Sequence, residues 1–152
     1  MAPSATICGD VRPGERVRVL HGAVLTAEDG EIRVGSDVVI MEGALIRGRA
    51  RHPAVLGDAV LVGPHAHING ARVEDEAFLA TGASLFPGSI AGHGSEVRIN
   101  AVVHVNSRQL PDTTVPIGWI AAGDPAQLFS PDQHEDLCGA ARARFPRRGL
   151  RD

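Results

Sequence analysis

The chain has 152 residues and a net charge of -3, with 43% hydrophobic residues but only 3% aromatic ones. This length predicts one domain, and the absence of a strong positive charge argues against a nucleic-acid partner. No apolar run approaches the ~20 residues of a membrane span, and the first residues carry no basic-then-apolar leader, so no membrane is expected. Cys8 and Cys138 lie far apart in the sequence. We therefore expect free thiols in a cytoplasmic protein.

The first half of the chain shows a period of six residues. Residues 5–11 can form an imperfect first edge. After them, aliphatic or proline residues open successive steps, namely Pro13, Val19, Leu25, Val34, Ile40 and Ile46. An acidic break at 27–31 predicts a corner loop. The basic segment 47–55 exceeds one step by about four residues, which predicts a loop pushed out from a corner.

The same period continues in the second half, with two shorter steps. The steps open at Leu56, Val62, Ile68, Val73, Leu79, Leu85, Ile90, Glu96 and Val102. Glu96 breaks the aliphatic rule, and Val97 is the alternative in that register. A period of six fits neither a helix nor a two-residue alternation. It is typical of a hexapeptide parallel β-helix, in which three steps form one coil.

The end of the chain changes character. Residues 117–126 predict a final strand pair with a sharp stop. Ser130, Pro131 and Gln133 form a helix start of the capping-box type. We expect an all-β domain at 1–129, a C-terminal helix at 130–146 that covers the end of the coil, and a loose tail at 147–152.

Stacking the steps in threes places polar residues in columns. One face carries the steps that open at Val19, Ile40, Val62 and Leu79, and the next carries those at Leu25, Ile46, Ile68, Leu85 and Val102. Equal offsets then lie about 4.8 Å apart. Ionisable groups gather around these two faces in the middle coils, with His65 and His67 expected at the corner between them. Such a cluster at a subunit seam predicts a small-ligand site.

The repeat, the loops after Leu25 and Ile46, the Gly-Asp-Pro-Ala stop at 123–126 and the terminal helix resemble the gamma-class carbonic anhydrase-like family over roughly residues 5–140. The resemblance implies a homotrimer of left-handed β-helices. It also implies zinc held between neighbouring subunits by three histidines.

That zinc site does not carry over to this chain. Arg47, Pro64 and Asn69 occupy the positions of the three zinc histidines. Val39 and Met41 occupy the positions that supply Asn and Gln around bicarbonate. Ordinary carbon dioxide hydration is therefore not expected, since these side chains would hold no metal to activate water.

Histidines elsewhere suggest a displaced site. His65 and His67 could bind a metal such as zinc, with His52, His21 or a neighbour's His104 as third ligand. Alternatively, they are corner histidines without a metal, and an acid/base role remains open for them. His104 could also serve as a base in acyl transfer or pack at a trimer interface.

The basic loop suggests an anion site. Arg47 and Arg49, with Arg51 and His52 nearby, suit a carboxylate or phosphate because guanidinium groups bind such anions in a bidentate manner. The alternative is a salt-bridged loop that uses Glu28, Asp29, Glu31 or Glu42. Glu42 could orient a histidine, act as a base, or pair with Arg47 between chains. Asn69 could orient a ligand or satisfy a corner backbone group.

Three classes of function follow. The first is an enzyme for a small carboxylate or carbonyl substrate, of lyase/hydratase or hydrolase type. In it His65, His67, His52 and Glu42 would supply acid/base or rebuilt-metal chemistry, and the binding residues would be Arg47, Arg49, Asn69, His104 and His21. The second is an acyltransferase or thioesterase that uses a coenzyme A thioester. The third is a non-catalytic trimeric scaffold or ligand-binding module.

Overall fold

The computed structural model describes residues 1–133 and 135–137. Short parallel strands wind into a coil and form a twelve-stranded and a six-stranded sheet. The predicted fold class, an all-β left-handed parallel β-helix, is confirmed, and most of the predicted C-terminal helix lies outside the described residues. Most of the strands have only two or three residues each and cannot bury their own side chains, so stability comes from stacking one coil on the next.

The strands form three outer faces. The first face contains β2 (Arg18–Val19), β4 (Val39–Ile40), β7 (Leu61–Val62), β10 (Phe78–Leu79), β13 (Glu96–Val97) and β16 (Thr114–Val115). The second contains β5 (Leu45–Arg47), β8 (His67–Asn69), β11 (Ser84–Leu85), β14 (Val102–Val103), β17 (Ile120–Ala122) and β18 (Gln127–Phe129). The third contains β6 (Ala54–Leu56), β9 (Arg72–Val73), β12 (Ile90–Ala91) and β15 (Arg108–Gln109). The long strands β1 (Thr6–Pro13) and β3 (Val24–Val34) run along both the second and third faces.

Aliphatic ladders fill the interior. On the first face the pairing runs through Val19, Ile40, Val62, Leu79, Val97 and Val115, all of which are buried. Each fully buried Val, Leu or Ile contributes roughly 1.5–3 kcal/mol relative to an exposed one. The aliphatic openers read from the sequence are thus the residues that hold successive coils together.

The predicted register was wrong after Leu85. Leu85 pairs with Val103 instead of Val102, and the buried partner of Val73 is Ala91 instead of Ile90. Ile90 is more apolar than Ala91, which made the step after Leu85 look short, but its side chain points outward. Val97 is the buried residue beside Glu96, which confirms the alternative register for that step.

The acidic segment 27–31 and the basic segment 47–55, which interrupt the repeat, have different structures. The acidic segment 27–31, predicted as a corner loop, is part of β3, and β1 skips residues 28–30, since Gly9 pairs with Ala27 and Asp10 with Glu31. The basic segment does form a loop at 48–53, as predicted. This loop is closed by Arg49 N–H to His52 O (2.9 Å) and His52 N–H to Arg49 O (3.1 Å).

The described chain ends in an antiparallel pair and a helix start. β18 pairs with β17, somewhat later than the predicted pair. The 3₁₀ helix Pro131–Gln133 follows, and Ser130 N–H donates to Gln133 Oε1 at 3.0 Å, which is half of the predicted capping box. Most of the predicted helix 130–146, the tail 147–152 and Cys138 lie outside the described residues, while Cys8 is a free, exposed thiol. None of the described helical segments is long and apolar enough to cross a membrane.

Candidate functional site

The outer surface of the second face carries two rows of side chains, which we call the outer rows. Residues that flank a buried strand residue point outward because side chains alternate along a strand. The first row contains Leu45, His67, Ser84 and Val102, which pair in this order. The second row contains Thr26, Arg47, Asn69, Phe86 and His104.

Arg47 and Asn69 form the polar centre of the second row. They pair directly across β5 and β8, and both side chains are half-buried. Arg47 Nε and Asn69 Oδ1 are buried, yet neither has a hydrogen-bond partner within the described residues. Leaving such groups unpaired costs roughly 1–3 kcal/mol each. The arrangement is therefore suited to a ligand or neighbouring chain that supplies the missing hydrogen bonds.

His67 completes this centre from the first row. Its side chain is half-buried, and its Nε2 atom is also buried without a partner among the described residues. Burial lowers the pKa of His67, and the positive charge of Arg47 lowers it further. The imidazole is therefore held in its neutral form, in which one ring nitrogen accepts a proton or a hydrogen bond.

Ser84 lies beside His67 on the neighbouring strand and was not predicted as a site residue. The pairing connects positions seventeen residues apart. This spacing is one coil built from two six-residue steps and the single five-residue step after Ile68. The short step was visible in the sequence, so this neighbour could have been found by counting around the coil.

His65 does not join His67. His65 is an exposed corner residue with a left-handed backbone (φ 56°), whereas His67 lies on β8 and not at the corner where it was expected. The His65 N–H donates to Glu42 O at 2.9 Å. Its ring lies over Gly43, where an added Cβ would come within 2.6 Å of Nδ1. The glycine thus provides the space for this imidazole.

The basic loop places His52 at the edge of the outer rows. His52 packs against the corner after Asn69, since a Cβ on Gly70 would lie 2.6 Å from its Cβ. Arg49 and Arg51 are exposed. In residues 1–133 and 135–137, none of the three loop arginines forms an ion pair.

One predicted acidic partner of the basic loop, Glu31, pairs with other arginines. Glu31 pairs with Arg33 at 2.7 Å and with Arg12 at 4.0 Å. The salt-bridged interpretation of this loop therefore gains no support within the described chain, and Arg47 keeps its charge available.

The remaining predicted site residues lie around this centre. Glu42 is exposed at the same corner as His21, whose Nδ1 is 2.9 Å from Ser4 Oγ. His104 lies at the far end of the second row, where its ring centroid is 6.5 Å from that of Phe86 with the rings tilted by 45°. The structure therefore brings together Arg47, His67 and Asn69, and leaves His65, His21 and Glu42 on the neighbouring corner.

The residues present do not fit zinc at the position that the family resemblance assigns to it. Arg47 brings a guanidinium cation, Pro64 has no donor in its side chain, and Asn69 is neutral. No group of three potential metal-ligating side chains occurs within the part of the chain that the structure describes. A displaced site around His65 or His67 would need ligands from a second chain, and at His67 the charge of Arg47 would oppose a metal cation.

Comparisons with known proteins support the resemblance to gamma carbonic anhydrases. No protein-family model matches the chain. It is 31% identical to gamma carbonic anhydrase 1, mitochondrial, of Arabidopsis thaliana over 144 residues, which are 90% of this chain and 50% of the relative. Gamma carbonic anhydrase 2, mitochondrial, of the same plant is 32% identical over 143 residues, 90% of this chain and 49% of the relative. The chain thus spans about half the length of these curated relatives.

Solved structures share the coil. A Bacillus cereus protein provisionally described as an acetyltransferase has a TM-score of 0.69 at 20% identity, covering 94% of this chain and 84% of that one. A perosamine N-acetyltransferase variant from Caulobacter crescentus, crystallised with CoA and GDP-perosamine, has a TM-score of 0.51 at 27% identity, covering 84% and 54%. The first similarity shows the fold alone.

Proposed function

We propose that this chain, which is similar to gamma carbonic anhydrases over about 90% of its length, forms a homotrimer with an anion site in place of zinc. The site binds a small carboxylate or carbonyl substrate at the subunit seam, and His67 supplies acid/base chemistry of the lyase/hydratase or hydrolase type. The observation that carries this proposal is the pairing of Arg47 with Asn69, each with a buried polar atom that has no partner among the described residues.

The charge of Arg47 favours a carboxylate. A guanidinium group presents planar donors that match the two oxygens of a carboxylate. Asn69 lies on the next strand, about 4.8 Å away, so its amide can contact the same anion. The loop arginines form no ion pair in the part of the chain that the structure describes, which also favours an anion as the ligand.

An unusual outer surface supports the trimer. The outward residues of the first face are mostly apolar and half-buried, and they include Leu20, Val39, Met41, Leu61 and Phe78. The third face instead carries Arg33, Arg72 and Arg108 in its outward row. Contact between the first face of one copy and the second face of the next would bury the apolar surface and enclose the outer rows, with closed symmetry.

The chemistry follows from a neutral imidazole beside a fixed positive charge. His67 can take a proton from water, or from a carbon atom next to a carbonyl group, because its depressed pKa keeps it unprotonated. Arg47 and Asn69 can stabilise the negative charge that develops on the substrate oxygen. His65, His52 and Glu42 remain proposed contributors across the seam, together with Arg49, His104 and His21 as proposed binding residues.

The proposal is tested by carboxylate protection against heat. Butyrate at about ten times its dissociation constant stabilises a protein by about 1.4 kcal/mol, which raises the melting temperature of a trimer of this size by a few degrees. Arg47→Gln removes this protection. Arg72→Gln, a change of the same kind on the third face, leaves it intact. Equal protection of both variants would show that Arg47 does not hold the anion.

A second candidate function has its own support. The Caulobacter relative was crystallised with CoA, which favours an acyltransferase or thioesterase that uses a coenzyme A thioester. Coenzyme A would then raise the melting temperature more than butyrate does. Carboxylate binding without turnover of any ester, thioester or carbonyl compound would instead assign a ligand-binding module. For all three we propose a cytoplasmic location from the free thiol of Cys8.

A further inference from the structure

The second outer row changes from polar to aromatic along its length. Arg47 and Asn69 form one end, and Phe86 and His104 continue the row directly after the ends of β11 and β14. Phe86 is 36% exposed, and His104 is half-buried beside it. The two rings lie 6.5 Å apart and are tilted by 45°, a contact geometry that aromatic side chains favour.

The dimensions of the row set the size of a ligand. Neighbouring strands are about 4.8 Å apart, so Phe86 lies about 10 Å from Arg47 across Asn69. An ion as small as bicarbonate or acetate would occupy only the polar end. A carboxylate with an apolar body can place its charge on Arg47, cross Asn69 and cover the exposed ring of Phe86.

We infer that the ligand is a monocarboxylate with an aliphatic or aromatic body of about four to seven carbon atoms, which lies along the row from Arg47 to Phe86. This inference rests on the proposed anion site and assigns its ligand class. Arg47 holds the carboxylate, the Asn69 amide contacts the head of the ligand, and Phe86 with His104 forms an apolar wall at the far end. The apolar wall selects against shorter anions, because each buried methylene adds about fourfold to affinity.

The test is to titrate the intact protein with carboxylates of increasing length and to measure each affinity by ligand-observed NMR. The probes are acetate, butyrate, hexanoate and benzoate. The expected result is an affinity at least tenfold higher for hexanoate and benzoate than for acetate. Equal affinity for all four would overturn the inference while leaving the anion site intact. No binding of any of them would overturn the proposed anion site as well.

Variants locate the apolar wall. In Phe86→Ala, the ratio between the highest and lowest affinities of the four carboxylates is expected to fall to about threefold. The affinity for acetate is expected to stay unchanged. Phe86→Leu keeps an apolar side chain at this position and so guards against misfolding. It is expected to give an affinity ratio between those of wild type and Phe86→Ala. Leu110→Ala is the matched control, since Leu110 is an exposed apolar residue at another corner, 45% exposed, and it leaves the series unchanged.

The same variants distinguish a ligand-binding role of Phe86 from a role as a contact between copies of the chain. If Phe86→Ala dissociates the assembly, or weakens acetate and hexanoate equally, Phe86 is a contact between copies of the chain and not part of the ligand site. Oligomeric state is therefore measured for each variant by light scattering. Retention of the wild-type assembly together with loss of length selectivity is the result that supports the apolar wall.

Discussion

Arg47 and Asn69 face each other on adjacent parallel strands, at two of the three positions where the family resemblance places zinc-binding histidines. In the proposed site, a guanidinium and a neutral amide thus stand at positions where the family resemblance places metal ligands. Both residues also carry buried polar atoms without partners in the described chain. We propose that a ligand or a neighbouring copy completes them.

Restoring the three histidines should restore a metal site. Arg47→His, Pro64→His and Asn69→His together remove the guanidinium and supply three neutral imidazoles, the usual protein ligands of a catalytic zinc. We expect about one zinc ion per chain by elemental analysis, and loss of carboxylate protection. The double variant that keeps Arg47 is the control, and it should remain without stoichiometric zinc. Zinc binding by this control would show that Arg47 does not decide the charge preference.

Removing the charge of Arg47 should stabilise the protein while it abolishes binding. A half-buried guanidinium that lacks a partner within residues 1–133 and 135–137 is costly, and Met fills a similar volume without that cost. Arg47→Met is expected to raise the free energy of unfolding by about 1 kcal/mol, as measured by urea denaturation in the absence of carboxylates. Arg72→Met on the third face should have little effect. A strongly destabilised Arg47→Met protein would mean that Arg47 already has a partner in the assembly.

His67 should make stability depend on pH on the acid side. Its pKa in the folded state is lowered by burial and by Arg47, from an ordinary value of 6.5. The unfolded chain therefore binds a proton first as the pH falls through 6.5, and stability decreases from there until the folded pKa is reached. Above this window His67 contributes nothing to the dependence.

The check is thermal unfolding between pH 5 and 8 for wild type, His67→Gln and His93→Gln. His67→Gln should lose part of the acid-side decrease, whereas His93→Gln, which changes an exposed corner histidine, should keep it. Identical curves for wild type and His67→Gln would mean that the folded His67 titrates like a free imidazole. The neutral base proposed here would then be wrong.

Gly43 should be intolerant of a side chain because of His65. Gly43 has φ of 66°, and an added Cβ would meet the His65 ring at 2.6 Å. Gly118 has φ of 70° with nothing within 4 Å of such a Cβ, so Gly118→Ala carries the backbone cost alone. We expect Gly43→Ala to lose about 1 kcal/mol more than Gly118→Ala in urea denaturation, since the ring has to move.

A double variant separates the clash with the His65 ring from the backbone cost of a side chain at positive φ. His65→Ala combined with Gly43→Ala removes the ring and should recover the difference between the two glycine sites. If His65→Ala has no effect on the cost of Gly43→Ala, His65 does not lie over this corner. Its proposed role at the seam would then lose its structural basis.

The sequence was most informative where the repeat is regular. The aliphatic openers from Val19 to Leu85 are the buried residues of the coil, because an interior of stacked short strands accepts little else. The prediction was wrong at Ile90 and Val102, where adjacent residues are both apolar and only packing decides which one points inward. The acidic segment 27–31 belongs to strand β3 and not to a loop, but residues 28–30 have no partner on β1, at the point where β3 passes from the second face to the third.

The site was only partly visible in the sequence. The substitutions at Arg47, Pro64 and Asn69 could be read from the family pattern, and they predicted the loss of zinc from that position. The separation of His65 from His67 could not be read from the sequence. Two residues that are two positions apart share one surface only within a continuous strand, and here His65 lies in a left-handed corner before the strand begins. The contact of Phe86 with His104 depended on the register that was misassigned by one residue.

The most direct test of an anion site in place of zinc is a crystal structure of the protein grown with butyrate, with data also collected at the zinc absorption edge. The account predicts a trimer with carboxylate density in contact with the Arg47 guanidinium and the Asn69 amide, and no anomalous peak at the seam. An anomalous peak between histidines of neighbouring chains, or a neighbour's carboxylate paired with Arg47 in place of butyrate, would contradict it.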